Sequence, residues 1–137
     1  MRRSASALLT FLLVTAVPPT AIAAPPQQIF PGAGERMHVD FEEDSFDLDF
    51  HRDGSTLTFQ GTRGPAKGLR DTVTYRYREI APGVHRLTWQ RVDPITRAPF
   101  TSVVHIQNWN TRRVFGSFTN EALEFTQREG PLRFDPY

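Results

Sequence analysis

The sequence contains no cysteine. That absence excludes a disulfide framework, a thiolate nucleophile and any cysteine-ligated zinc or iron–sulfur centre. Strong net charge is missing as well: sixteen Lys and Arg stand against fifteen Asp and Glu, a formal +1, and the basic residues are interspersed with the acidic ones. Nucleic-acid binding leaves a clustered basic footprint, so no nucleic-acid partner is expected. No apolar run reaches the ~20 residues that a membrane-crossing helix needs, and the run from Ala7 to Val17 stops at Pro18 and Pro19. Catalytic signatures are equally sparse. There is no GxSxG elbow and no HExxH or HxH spacing among the four histidines, so neither nucleophilic hydrolysis nor a helix-borne zinc site has support.

What is present begins with a targeting pattern. Arg2 and Arg3 precede the apolar run, and Ala21-Ile22-Ala23 supplies the small residues of a cleavage site, which together predict a signal peptide over residues 1–23. The chain is then expected to be exported, periplasmic or secreted, and free of the membrane after cleavage, since no cysteine is available for a lipid anchor. Residues 24–35, APPQQIFPGAGE, form a leader rich in Pro and Gly, where little regular structure is expected. The remaining domain, residues 36–137, is long enough to be stabilised by burial alone.

Within that domain the apolar residues follow a period of two. Phe46, Leu48 and Phe50 alternate with aspartates, Asp53-Gly54 follows, and STLTFQ alternates again, which is the pattern of a tight hairpin. Val73, Tyr75 and Tyr77 share a face of TVTYRYREI, Ala81-Pro82-Gly83 turns the chain, and GVHRLTWQR follows as the next strand. FTSVVHIQNW, RRVFGSFT and a segment from Leu123 to Arg128 continue the series, and Gly130-Pro131 separates the last of these from a terminal strand at Leu132 and Phe134. No dozen-residue window has a helical period. The prediction is an all-β domain, a single antiparallel barrel or sandwich of about seven to nine strands.

The run EIAPGVHRLTWQR, followed after a loop by TSVVHIQNWNTRRVFGSFT, resembles the MoaF-like domain, a relative of the molybdenum-cofactor biosynthesis F proteins, and FDLDFHRDGSTLTF is similar to that family's first hairpin. The resemblance implies a calycin or lipocalin-like barrel. Phenolic acid decarboxylases share the implied fold and a similar Gly-Val-x-x-x-x-Trp strand, in which an acidic residue lies two places after the Trp. The matching residue here is Arg91. A guanidinium does not exchange protons near neutral pH, so decarboxylation does not carry over and no catalytic residue is assigned.

The strand from Gly83 to Arg91 puts His85, Leu87, Trp89 and Arg91 on one face. Either Leu87 and Trp89 are core with His85 and Arg91 at the two ends, or Arg91 clamps an anion at a barrel mouth above Trp89. Tyr75 and Tyr77 either pack the core or turn their hydroxyls to a ligand. His85 and His105 lie on strands predicted to pair, but two imidazoles fall short of a zinc site, and the acidic run Asp40 to Asp49 lacks the glycine and ligand spacing of a calcium loop. The candidate ligand-binding set is Tyr75, Tyr77, His85, Trp89, Arg91 and His105, with no metal and no cofactor. A small aromatic or anionic molecule is the expected partner. A lyase or isomerase on small aromatic acids, and an interaction protein with a filled core, remain as alternatives.

Overall fold

The computed structural model describes residues 12–16, 28–92 and 99–135. The signal-peptide expectation therefore falls largely outside the described residues. Eight antiparallel strands follow in order: β1 (Arg36–Phe41), β2 (Asp44–Phe50), β3 (Thr56–Arg63), β4 (Arg70–Ala81), β5 (Val84–Val92), β6 (Pro99–Asn108), β7 (Arg113–Asn120) and β8 (Phe125–Asp135). Each pairs with its neighbour in sequence, and β1 pairs with β8, so the meander is a closed barrel. Closure removes the exposed edges that an open sheet would present.

Alternation decides what faces inward. Met37, Val39 and Phe41 on β1, Leu48 and Phe50 on β2, Leu57 and Phe59 on β3, Val73 and Tyr75 on β4, and Leu87 and Trp89 on β5 are buried. The aspartates between the β2 residues stay at the surface, as a pleated strand requires. The β2–β3 hairpin turns at Asp53-Gly54: Asp53 Oδ1 accepts from the amides of Ser55 at 2.8 Å and Thr56 at 2.9 Å, and Gly54 takes a positive φ of 70°. These donors, with the Thr56 hydroxyl, hold the Asp53 carboxyl down at about 2.

Two strands change partners along their length. β4 pairs with β3 up to Thr74, and from Tyr75 onward with β5. β8 pairs with β7 as far as Pro131 and with β1 from Leu132. The sequence predicts a break at Gly130-Pro131, but the strand continues through it. The reason is geometric: a Cβ on residue 130 would lie 1.7 Å from the Asp40 carbonyl oxygen, so only glycine permits this close approach at the corner. What reads as two strands is one bent strand.

Residues 28–35 form no strand, yet they cross one end of the barrel and close it. The Gln28 side-chain oxygen accepts from the Glu79 amide at 2.9 Å. On the far side the Gly34 amide donates to Phe50 O at 2.8 Å and the Phe50 amide donates to Glu35 O at 3.0 Å. Between these anchors Phe30 enters the barrel and is 1% exposed. Its ring centroid lies 4.8 Å from that of Phe50, 5.1 Å from Tyr77, 5.7 Å from His85 and 5.8 Å from Trp109. Burying so large a ring in edge-to-face contact is strongly stabilising. Phe30→Ala is expected to lower the unfolding free energy in urea by about 3–5 kcal/mol; a loss below ~1 kcal/mol would show that the plug is not part of the core.

Candidate functional site

With one end plugged, the open half of the barrel holds a cavity of about 130 Å³, lined chiefly by Val39, Phe41, Phe46, Leu48, Phe59 and Trp89, with Val103, Phe118 and Leu69 completing its apolar wall. Three of its lining residues are more polar: Arg91, Thr101 and His105. The β5–β6 register fixes their depth. Arg91 lies opposite Thr101 at the mouth, Trp89 opposite Val103 in the middle, and Leu87 opposite His105 at the floor. His85, one pair further on, lies opposite Gln107 beyond the floor.

The mouth is shaped by a backbone crossing. The Gly61 amide donates to Leu69 O at 2.8 Å and the Gly68 amide to Gly61 O at 3.0 Å, which folds the β3–β4 connection back and brings Leu69 against the cavity. A Cβ on residue 61 would lie 1.8 Å from the Ala66 carbonyl oxygen, so this crossing needs glycine.

Arg91 is paired. Its Nε donates to Asp71 Oδ2 at 3.3 Å, across the place where the β4–β5 ladder ends at the Tyr75 and Trp89 pair. Arg91 and Asp71 are both partly buried, and the carboxylate balances the guanidinium where an incoming anion would meet it. His105 is the opposite case. It is 2% exposed, packs 5.5 Å from the Trp89 ring and 6.4 Å from Phe41 between centroids, and burial pushes its pKa down to about 3. A neutral imidazole is the form that burial permits.

The six candidate residues thus separate into two groups. Trp89, Arg91 and His105 line the cavity. Tyr75, Tyr77 and His85 belong to the plugged end, gathered around Phe30. The Tyr77 hydroxyl and His85 Nδ1 are hydrogen-bonded at 2.8 Å, and burial lowers the His85 pKa, with the Glu79 charge opposing it. Burial raises the Tyr75 hydroxyl to about 12. His85 and His105 do share the inner face, but two residue pairs of register separate them, since His105 faces Leu87 and His85 faces Gln107.

The MoaF-like family model matches residues 33–133, essentially the whole barrel with the last residues of the plugging segment but not Phe30. The chain belongs to the MoaF-like family. Among solved structures, a Burkholderia vietnamiensis protein provisionally named a beta-lactamase is similar at 26% identity and a TM-score of 0.72, over 80% of this chain and 100% of that one. No curated protein matches.

In this MoaF-like barrel the sequence reasoning missed the apolar majority of the lining, because Phe41, Phe46, Phe59 and Phe118 sit on four different strands and nothing local says which end each occupies. It also missed a grouping on the outer wall. His38, Asp47 and Asp135 have ligand-type atoms within 4.8 Å of one another, but His38 Nδ1 is already paired with Asp47 Oδ1 at 2.7 Å and Arg133 Nε donates to Asp135 Oδ1 at 3.0 Å.

The neutral His105 carries a pH signature. Its folded pKa lies below the ordinary 6.5, so the unfolded chain binds more protons and stability falls as pH drops from about 6.5 toward 3. The Asp40 and Asp53 carboxyls, whose pKa values are lowered from 3.8, give up their share only at lower pH. Between pH 6.5 and 5 the wild-type chain is therefore expected to lose about 1.5 kcal/mol more unfolding free energy than His105→Phe. Parallel pH profiles in urea denaturation would contradict a buried neutral imidazole.

Proposed function

We propose that the chain is an exported small-molecule-binding barrel, without catalytic activity of its own, whose ligand is a neutral molecule about the size of one aromatic ring. The observation that carries this reading is the cavity itself. An engineered apolar cavity of about 150 Å³ takes up benzene, and this one has about 130 Å³ with rings on several sides. The signal-peptide pattern of residues 1–23 supports export.

The pairing of Arg91 with Asp71 favours a neutral ligand over the anion that Arg91 alone would suggest, because a carboxylate entering there would meet Asp71 as well. Hydrolysis of a beta-lactam, which the name of the Burkholderia vietnamiensis protein suggests, is not favoured here. The hydroxyl of the lining is Thr101 at the mouth and its imidazole is His105 at the floor. Four residues along a strand separate them by about 13 Å, too far for the imidazole to activate that hydroxyl. Acid/base chemistry on aromatic acids meets a comparable obstacle, since burial keeps His105 neutral and Arg91 cannot give up its proton.

Binding of toluene, followed by ligand-observed NMR, tests the reading with two variants. Val103→Phe fills the middle of the cavity and is expected to weaken binding at least about tenfold, while Arg91→Leu is expected to leave affinity within about threefold of wild type. Undiminished binding in Val103→Phe would place the ligand elsewhere. Loss of binding in Arg91→Leu would restore the guanidinium as the principal contact.

A further inference from the structure

From the cavity floor toward the plugged end three polar side chains follow one another on the inner side of a single strand and the turn beyond it. They come from the alternation in His105-Ile106-Gln107-Asn108-Trp109. His105 and Gln107 are buried, Gln107 completely, and Trp109 packs against the plug at 4.3 Å from the His85 ring and 5.0 Å from Phe134 between centroids. Trp109 Nε1 donates to Gln107 Oε1 at 2.9 Å. On its other side the Gln107 amide lies 3.5 Å from His105 Nδ1 through its Nε2.

The chemistry of these groups fixes the direction of the chain. An indole N–H donates and cannot accept, so the Gln107 atom facing Trp109 is its carbonyl oxygen. The amide nitrogen therefore faces His105, and it too can only donate. Nδ1 of His105 faces this donor and is suited to accept, which favours the tautomer with the proton of the neutral ring on Nε2. Without the indole, the amide could turn over and the opposite tautomer would be equally well satisfied. Trp109 thus acts on His105 through Gln107, and Gln107 is a positioning residue.

We propose that His105 presents its Nε2–H as a hydrogen-bond donor at the cavity floor, and that it selects ring-sized ligands carrying an acceptor, such as an aromatic nitrogen or a carbonyl oxygen, at their inner end. This inference rests on the reading of the cavity as a ligand site and adds the chemical class of the ligand. Its supports are the donor-only indole, the complete burial of Gln107, and the place of His105 in the lining opposite Leu87. Burial of the ring, which disfavours the imidazolium, is consistent with it.

Two measurements test the proposal. Long-range ¹H–¹⁵N correlation on the wild-type chain reports the tautomer directly: His105 is expected to carry its proton on Nε2, and a proton on Nδ1 overturns the proposal whatever binds. Benzene and pyridine, equal in shape but for one acceptor nitrogen, then serve as probes in wild type and in His105→Phe. Because the substitution also reshapes the floor, the readout is the ratio of the two affinities within each chain: the pyridine-to-benzene affinity ratio is expected to fall about tenfold in the variant, the worth of one hydrogen bond. An unchanged ratio overturns the donor role while leaving the cavity in place. Failure of benzene to bind the wild-type chain would count against the cavity reading itself, and the tautomer would still decide the inner relay.

Discussion

Everything specific to this barrel depends on the two ends being unlike, and that difference comes from one ring outside the strands. Phe30 enters from the segment before β1 and meets Phe50, Tyr75, Tyr77, His85 and Trp109. A closed eight-stranded sheet has an interior just wide enough to be filled by side chains or to hold one small ligand. Here one half is filled by side chains and the other keeps a cavity. The aromatic plug fills one end, and the space that remains is confined to the other, between Trp89, the phenylalanines and His105.

That division also explains why buried polar groups are tolerated. The plugged end contains the Tyr77–His85 pair, and the Gln107–Trp109 pair lies just beneath the floor, so most of the polar atoms there answer one another. Tyr75 OH and His85 Nε2 are buried without a hydrogen-bond partner among the described residues, a cost that the surrounding ring contacts have to offset. At the open end the charged pair of Arg91 and Asp71 sits at the rim, where partial exposure reduces the desolvation that a deeper pair would suffer.

Much of the architecture was legible in the sequence because a sheet with one buried face writes its pattern locally. The alternation of Phe46, Leu48 and Phe50 with aspartates, followed by Asp53-Gly54, specifies the β2–β3 hairpin from adjacent residues alone. Features set by distant contacts were not legible. Nothing near Phe30 announces that it crosses to β4 and β5, and Gly130-Pro131 reads as an interruption until the approach of Asp40 shows it to be a corner. The site was legible in part for the same reason. The inner face of β5 gave Trp89 and Arg91, whereas Asp71, which neutralises Arg91, lies twenty residues earlier on another strand. The alternation of His105, Gln107 and Trp109 was visible as strand pattern, but its hydrogen-bond direction appears only once the distances between the three groups are known.

The central claim is that the open half of the barrel keeps a largely apolar cavity of about 130 Å³. Diffraction from a xenon-pressurised crystal examines it without choosing a ligand, because xenon enters apolar cavities of this size. The expected result is a single strong xenon peak enclosed by Trp89, Phe41 and Phe118 above His105. A cavity filled by collapsed side chains, or one holding ordered water in place of xenon, would contradict the account.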